Sequence, residues 1–374
     1  MNPIHTVRLE FDPKLNTIDK DKKRSQGLSV VMQIGDTLWV ANDETISLER
    51  FTLTDTSGAG KYDCGKEHRQ FSLDDYIRLP VPPTSDPEII EEVDLEGLAF
   101  EDGYLWLIAS HSLKRKKPKL KDDLEKDRKR LATVESDGNR YLLARIPIEE
   151  SDGDYRLVKK SRQNGEKQSA AQLEGGKHRN ELMDALAKDE HLQPFFAIPG
   201  KDNGFDIEGL AVANGHLFIG LRGPVLRGWA IILEVVPEQD KDDSTLLKLK
   251  SIGPDRRSYR KHFLQLGGLG VRDLCVHGDD LLILAGPTMD IDGPVTIFRW
   301  PNGTKPQEEA IVPGDKLERL CDIPYGQGDD HAEGMTLLTS AAGGKPDSVL
   351  IVYDSAAPSR LIGENTMIAD VFGF

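Results

Sequence analysis

A hairpin-like pattern recurs along this chain, and it constrains the fold more than any other feature. In its clearest copy, Glu96-Gly97-Leu98 opens an apolar run, a turn at Glu101-Asp102-Gly103 follows, and a second apolar run ends at Ser110. Asp-Gly or Asn-Gly between two runs of β-forming residues is the strongest short signal for a β-hairpin. Other copies start at Gln26-Gly27-Leu28, Glu208-Gly209-Leu210 and Glu333-Gly334-Met335, and a degenerate copy starts at Arg272-Asp273-Leu274.

The spacing of these anchors predicts a repeat architecture. Neighbouring anchors are 61 to 112 residues apart, which leaves room for four antiparallel strands in each unit. Such a unit is one blade of a β-propeller and cannot bury both of its faces alone. The last anchor has only 41 residues after it, so we expect a strand predicted at residues 4–11 to complete that blade. We predict an all-β fold, a single closed propeller domain over residues 1–374 with five blades. Six blades are the alternative, if the longest gap hides a blade without the signature.

Two insertions interrupt this pattern. A charged stretch at about residues 112–138 contains ten basic and four acidic residues between Lys114 and Arg130, and we call it the basic arm. A polar loop is predicted at residues 161–203, with a short helix capped by Asn180. Leu182, Met183 and Leu186 share one side of that helix.

Composition excludes several functional classes. The net charge of −15 argues against general nucleic-acid binding. No run of 18 apolar residues predicts a membrane span, and no signal peptide is recognisable at the N-terminus. The cysteines (Cys64, Cys275 and Cys321) form no CxxC motif. We therefore expect a protein of the reducing cytoplasm.

The propeller topology predicts where the repeated glutamates lie. The first strand of each blade lines the central channel, so Glu96, Glu208 and Glu333 are expected to converge near one mouth. Gln26 and Arg272 would complete this ring. Acidic residues just before three of the anchors would sit above it, and the exits of the second strands would form the rim. The acidic residues before the anchors are Asp94, Asp206 and Asp330. The rim residues at the exits of the second strands include Asn42, Asp43, Ser110, His111, Arg222 and Asp354.

Crowded carboxylates repel one another unless they are protonated or neutralised. A hard divalent cation is the simplest neutraliser, and a ring of oxygen ligands suits Ca²⁺ better than Zn²⁺. The predicted metal ligands are Glu96, Glu208, Glu333, Asp94, Asp206 and Asp330. An alternative stays open: Glu-Gly at a strand start can simply form a bulge, with the glutamate bonded to backbone amides of a neighbouring blade.

Three further residue types suggest ligand binding. Arg222 lies in the glycine- and proline-rich segment Gly220–Trp229, and together with Arg227 and Arg272 it suits a phosphate or carboxylate. A structural ion pair between Arg222 and the carboxylate ring is the alternative. His111 follows the exit of a second strand, where a general acid or base could stand, although a loop histidine is more often only solvated. The basic arm, if it acts, would draw polyanions toward the same mouth.

The repeated Asp-Leu/Ile-Glu-Gly-Leu-Ala segments, Gly220–Ala230 and His331–Met335 resemble a bacterial propeller family carried as a domain of unknown function, type 3616. More distantly, the blades are similar to phytase-like esterase propellers and to calcium-activated nucleotidases. In those proteins channel carboxylates hold Ca²⁺ and the substrate is a phosphate ester. The resemblance implies metal-binding roles for Glu96, Glu208 and Glu333. This chain departs from the pattern at Arg272 and Gln26, where ligands are missing.

Two functions follow as hypotheses. The first is a Ca²⁺-dependent phosphoesterase or nucleotidase-like hydrolase acting on a small anionic ligand. Its catalytic residues would be Glu208, His111 and Arg222, and its ligand-binding residues would be Arg222, Arg272, Arg227, Asn42 and Ser110. The second is a non-catalytic scaffold that holds an unknown protein partner at the mouth and the basic arm. Fold alone does not separate them, because propellers serve both roles.

Overall fold

The computed structural model describes residues 2–84, 91–121, 123–151, 153–163, 165–341, 343 and 346–374. Residue 122 of the basic arm therefore lies outside the described residues. No helix in these ranges is long and apolar enough to cross a bilayer.

Most described strands belong to five antiparallel groups, which we number as meanders 1 to 5 in chain order. Meander 1 contains Leu28–Ile34, Thr37–Asn42, Ser47–Thr54 and Cys64–Ser72. Meander 2 contains Leu95–Glu101, Tyr104–Ala109, Leu143–Ser151 and Ala171–Leu173. Meander 3 contains Asp206–Ala213, His216–Gly223, Ala230–Val235 and Arg260–Leu264. Meander 4 contains Gly270–His277, Asp280–Gly286, Val295–Trp300 and Glu318–Ile323. Meander 5 contains His331–Leu337, Ser348–Asp354, Thr366–Gly373 and His5–Glu10.

The first strand of each meander, its inner strand, contacts the inner strand of the next meander, and the inner strand of meander 5 contacts that of meander 1. The hydrophobic core lies between the faces of successive meanders. Trp39 of meander 1, for example, belongs to the same buried cluster as Leu105 of meander 2. Phe218 of meander 3 likewise shares a cluster with Ile283 of meander 4. Each meander is thus an apolar layer that needs its neighbours for burial.

The N-terminal strand joins the two ends of the chain. His5–Glu10 pairs antiparallel with Thr366–Gly373, and Arg8 and Leu9 pair in parallel with Cys64 and Gly65 of meander 1. The expected pairing of the chain ends is confirmed. It removes a free edge from meander 5.

The two insertions differ in how well they were predicted. The basic arm contains Lys114–Arg115 paired with Val134–Glu135 and a helix, Leu124–Ala132, that has no buried residue. In the polar insertion, Asn180 caps the helix Glu181–Leu186 by accepting from the Met183 amide, and the three apolar residues named above are buried. However, the prediction that this whole segment is a loop is wrong. Lys160–Gln163 and Glu166–Ser169 form a hairpin, and Ala171–Leu173 is a strand of meander 2, too short to show alternation.

Short strands on the outer edges complete the sheets. Leu246–Leu249 runs parallel to Ala171–Leu173 of meander 2, and Ile311–Val312 runs parallel to the last strand of meander 3. Further short strands are Asp154–Leu157, Gly175–Gly176, Arg179–Asn180, Pro237–Gln239 and Leu361–Ile362. The remaining helical turns are Pro13–Asn16, Arg24–Gln26, Leu73–Asp75, Gly138–Tyr141, Gln193–Phe195, Pro254–Arg256, Gly314–Lys316 and Pro358–Arg360.

The Glu-Gly signature is a β-bulge. In the inner strands of meanders 2, 3 and 5, pairing with the second strand skips Glu96, Glu208 and Glu333. Arg272 takes this position in meander 4. In meander 1 it is Ser29, because pairing passes from Leu28 to Val30. Gln26 therefore does not take the bulge position, since two residues lie between it and Ser29, but it lines a polar cavity together with Glu96, Glu208 and Glu333.

The glycine after each bulge allows two inner strands to approach closely. A Cβ on Gly97 would lie 2.6 Å from the Cβ of Leu210, and one on Gly334 would lie 2.9 Å from the carbonyl carbon of Val30. Asp273 replaces this glycine in meander 4, and its carboxylate accepts from the Met335 amide of the next inner strand at 2.7 Å. The bulge interpretation is thus correct, although this backbone contact is made by an aspartate and not by a glutamate.

Substituting Gly97 with alanine is expected to lower the free energy of unfolding by about 1–3 kcal/mol, because the added methyl group overpacks the contact between the inner strands of meanders 2 and 3. Urea denaturation followed by circular dichroism measures this loss. Gly176→Ala is the matched control, since nothing lies within 4 Å of a Cβ added there. An unchanged midpoint for Gly97→Ala would show that the inner strands can separate freely.

Candidate functional site

A polar cavity of about 860 Å³ lies where the inner strands begin. Its walls come from the bulge glutamates, from the exits of second strands and from the base of the basic arm. The arm is tied to the opposite rim by ion pairs from Arg115 to Asp202 (2.8 Å) and from Lys117 to Asp290 (3.1 Å). The lining includes Asn42, Asp43, Asp94, Glu96, Lys114–Pro118, Lys201, Asp206, Glu208, Arg222, Glu333 and Asp354.

Two buried arginines hold the bulge glutamates at the floor of this cavity, and of the two Arg222 lines the cavity itself. Arg222 Nη1 lies 2.5 Å from Glu208 Oε1, and its other terminal nitrogen bonds to Asp206. Arg272 Nε lies 2.9 Å from Glu208 Oε2, and Arg272 also pairs with Glu333. These side chains are between 2% and 12% exposed. Both oxygens of Glu208 are therefore held by guanidinium groups.

Burial raises the pKa of the Glu208 carboxyl to about 8, while Arg222 and Arg272 beside it oppose that shift. A second ion-pair group lies higher on the wall, where Arg140 contacts Asp94 at 2.7 Å and Glu92 at 3.1 Å. The alternative interpretation of Arg222, a structural ion pair to the carboxylate ring, describes this floor. Arg222 and Arg272 are thus both paired with carboxylates, and both also line a smaller recess beside the cavity.

Three carboxylates of the cavity have no basic partner in the described part of the chain. The side chains of Glu96 and Asp43 form neither an ion pair nor a hydrogen bond there, and the Asp354 carboxylate accepts from Ser355 (2.7 Å to its amide). Burial, reinforced by Asp94 and Glu208, raises the pKa of Glu96 well above its ordinary value. Burial and then Asp354 do the same to the pKa of Asp43. These carboxyl groups therefore favour the protonated form, and ionising them is costly unless a counter-charge is bound.

Lys201 lies beside these carboxylates at the junction of the cavity with a smaller recess. No hydrogen bond or ion pair engages its ammonium group within the described residues. Burial and Arg222 act to lower the pKa of Lys201, but Glu333, Asp290 and Asp354 outweigh them and raise it. The group stays charged and is available to an anion.

The predicted ligand set does not assemble as a whole. Within the described ranges, no three His, Cys, Asp or Glu side chains are arranged to hold a metal ion. Asp330 lies away from the cavity, where its carboxylate accepts from the Ala357 amide (2.8 Å) and from Arg360 (2.6 Å). Asp94, Asp206 and Glu208 are taken by arginines. The oxygen donors left for a cation are those of Glu96, Asp43, Asp354 and the second oxygen of Glu333.

His111 is not a catalytic group at the cavity, and that prediction is wrong. Its Nδ1 bonds to the Ala109 carbonyl oxygen and its Nε2 to the Asn180 side chain, both at 2.7 Å. Burial lowers its pKa to about 4, so the ring is neutral. It serves to hold the helix cap of Asn180 against meander 2.

Of the other predicted ligand-binding residues, one lies at the cavity and two do not. Asn42 lines the cavity. Ser110 is buried beside Arg140 and Ser112, and Arg227 is exposed in the tight turn between Leu226 and Trp229. Sequence reasoning missed Lys201, which lies in the polar insertion, and Arg140, which directly follows the basic arm. Neither segment carries the repeated motif, so the sequence does not predict that their side chains face the cavity.

Comparisons with solved structures give distant likenesses. Glutaminyl cyclase from Myxococcus xanthus is 8% identical with a TM-score of 0.38, and 100% of each chain is covered. The Nup133 β-propeller domain of Vanderwaltozyma polyspora is 9% identical, TM-score 0.31, covering 99% of this chain and 83% of that one. The periplasmic gluconolactonase of Pseudomonas aeruginosa is 11% identical with a TM-score of 0.26, and the alignment covers 88% of this chain and 75% of that one. Comparison with functionally curated proteins gave no match.

The bulge motif, the arginine-containing segment and the inner strands all fall within residues 27–370, which match the family described as "Protein of unknown function (DUF3616)". The chain belongs to this family.

Proposed function

We propose that the cavity binds a hard divalent cation, Ca²⁺ by preference, and with it a small anionic ligand. One observation supports this above all: Glu96, Asp43 and Asp354 line one cavity and form no ion pair with any described residue, while Asp94, Asp206 and Glu208 are matched by arginines. Uncompensated carboxylates in a partly buried site are costly. An oxygen-only donor set suits Ca²⁺ or Mg²⁺ rather than a thiophilic metal.

The proposal includes the architecture around the site. The five meanders would form one closed five-bladed propeller, with the N-terminal strand as the last strand of the fifth blade. Support comes from the contacts between inner strands, which run from meander 1 to meander 5 and back. The long interval between the second and third anchors contains, within the described residues, only the strands of meander 2 and short two-stranded additions.

The reaction that this arrangement supports best is hydrolysis of a phosphate ester. A bound divalent cation supplies Lewis-acid polarisation of a phosphoryl oxygen. Lys201 would hold the phosphate, because its ammonium is unpaired. The Glu96 carboxylate, ionised when the cation is bound, would accept a proton from the water that attacks phosphorus and return it to the alcohol oxygen as the P–O bond of the ester breaks. Arg222 and Arg272 would position Glu208 and Glu333 instead of binding substrate.

Addition of Ca²⁺ is expected to stabilise the protein. At a concentration 100 times the dissociation constant, the free energy of unfolding should rise by about 2.7 kcal/mol, measured by thermal denaturation against a chelator. Glu96→Gln and Asp43→Asn should each stabilise the cation-free protein at high pH and weaken the effect of Ca²⁺, because each removes a buried carboxyl whose ionised form has no counter-charge without the cation. Glu308→Gln, at an exposed carboxylate, is the control. The same response in wild type and both variants would contradict the site.

The catalytic part of the proposal needs a separate experiment. A panel of phosphate monoesters and diesters is incubated with the protein and Ca²⁺, and phosphate release is compared with that in chelator. Turnover that depends on Ca²⁺ and is lost in Glu96→Gln supports a hydrolase. Ca²⁺ binding without turnover would leave a cation-dependent binding protein.

A second candidate is a scaffold that holds a protein partner. The observation in its favour is the basic arm, whose helix has no buried residue and which exposes Leu120 (82%) and Leu124 (75%). Exposed apolar side chains of this kind commonly mark interaction surfaces. A scaffold should be indifferent to chelator and should keep its partner when Glu208 is changed to glutamine. We also propose a cytoplasmic location, since the three cysteines are free and buried.

A further inference from the structure

A recess opens from the polar cavity between the start of meander 5 and the loop after the second strand of meander 4. It has a volume of about 40 Å³, and its floor is formed by Arg272, Glu333 and Asp354. Its outer wall is apolar and is built from Pro287, Met289, Ile291 and Tyr325. Charged floor and apolar wall therefore meet within a distance that one small molecule can span.

The apolar wall is exposed to a degree that needs an explanation. Met289 is 44% exposed, Ile291 56% and Tyr325 49%, and these three are among the eleven large apolar residues that are exposed in the described part of the chain. The loop that carries two of them is tied down by a bridge between Asp202 and Met289 and by the Gly328 amide bonding to Asp292 at 2.9 Å. A tethered apolar surface beside a cavity is typical of a ligand-binding wall.

Lys201 connects this wall with the charged site. It lines both the recess and the larger cavity, and no described residue forms a hydrogen bond or ion pair with its ammonium group. An anion at Lys201 would place an attached organic group against Met289, Ile291 and Tyr325. A cationic ligand in the same place would be repelled by the Lys201 ammonium group.

We propose that the recess binds the short alkyl group of an anionic phosphate ligand whose phosphate lies at Lys201. This inference rests on the proposed function for the identity of the anion, and it adds the substrate class: a phosphate ester with a short apolar substituent. Selectivity comes from apolar area removed from water, which is worth roughly a fourfold gain in affinity for each buried methylene. Because the recess is small, this gain ends after a few carbon atoms.

The test uses alkylphosphonates, which carry the same charge as the esters and are not hydrolysed. Methyl-, ethyl-, butyl- and octylphosphonate are titrated into the full chain by calorimetry, with Ca²⁺ and with chelator. Affinity should rise roughly fourfold per methylene at first and level off between butyl and octyl. Met289→Ser/Ile291→Ser should remove the dependence on chain length. Lys201→Gln should weaken all members of the series alike.

Ile362→Ser, at an isoleucine 51% exposed on an outer edge, is the matched control and should behave as wild type. Tyr325→Ser provides a second wall variant, and circular dichroism checks that each variant is folded. Equal affinity for methyl- and butylphosphonate would overturn the inference, as would equal binding of butylamine or absence of binding by the whole series. Chain-length selectivity without any ester hydrolysis would contradict the proposed reaction but support the alkyl-binding recess. Ester hydrolysis that does not depend on chain length would support the reaction and contradict the recess.

Discussion

Replacing Arg272 with methionine is expected to lower the free energy of unfolding by about 3–5 kcal/mol at pH 8, because it removes one partner of a buried ion pair and leaves the other charged. Arg272 bridges Glu208 and Glu333, and its side chain is 8% exposed. Without it, two carboxylates face each other on the cavity floor, with Arg222 left to compensate only Glu208.

The loss should depend on pH in a defined direction. Burial already raises the pKa of Glu208 to about 8 and raises that of Glu333, and removal of Arg272 raises both further. A carboxyl whose pKa is higher in the folded than in the unfolded protein contributes stability below its unfolded pKa and loses it as the pH rises through the folded value. The deficit of Arg272→Met is therefore expected to be largest near pH 8 and smaller near pH 5.

Urea denaturation of wild type and variant at both pH values measures this difference. Arg319→Met is the matched control, since Arg319 is 62% exposed and pairs with Asp322 on the surface, where such pairs contribute about 0–1 kcal/mol. A deficit below about 1 kcal/mol for Arg272→Met at pH 8 would be inconsistent with a buried bridge. A deficit that grows toward pH 5 would contradict the assigned direction of the pKa shifts.

Deletion of residues 2–11 is expected to abolish cooperative folding. The deleted strand buries Val7 and Leu9 completely and leaves Phe11 3% exposed, and burying such a side chain contributes about 1.5–3 kcal/mol. The deletion also exposes the edge of Thr366–Gly373, which is a template for aggregation. Together these losses approach the total stability of a protein domain, about 5–15 kcal/mol.

Size-exclusion chromatography and thermal denaturation measure the outcome, and a synthetic peptide of residues 2–16 provides the control. Added in trans, the peptide should restore a cooperative transition, because the truncated chain still contains the segments that pair with it, Thr366–Gly373 and Cys64–Ser72. A peptide with aspartate at positions 7 and 9 should not. A truncated chain that melts like the full chain would show that the N-terminal strand is dispensable.

Local structure could be read from the sequence where a short-range signal suffices. The hairpin after Glu96 was predictable because a turn at Asp102-Gly103 separates two alternating runs, and the observed strands are Leu95–Glu101 and Tyr104–Ala109. The helix cap at Asn180 was predictable for the same reason. The strand Ala171–Leu173 was not, since three residues carry no period and its pairing depends on segments far away in the chain.

The register of the bulge shows the limit of pattern matching. Gln26-Gly27-Leu28 resembles the other anchors, yet Ser29 takes the bulge position in meander 1 and donates to the Leu95 carbonyl oxygen at 2.7 Å. The spacing of apolar residues fixes which face of a strand is buried. A bulge shifts that spacing by one residue, and its place depends on contact with the neighbouring inner strand.

The sequence alone determined that the chain folds into repeated antiparallel units and that its acidic bulge residues come from separate units, because turn chemistry and alternation act over a few residues. Only the tertiary structure decided how those charges are used. It paired Arg222 and Arg272 with Glu208, and it removed Asp330 and His111 from the site. Among the described residues, it left Glu96, Asp43 and Lys201 without ion-pair partners. Ion pairing depends on where side chains from distant strands meet, and that geometry exists only once the meanders have packed together.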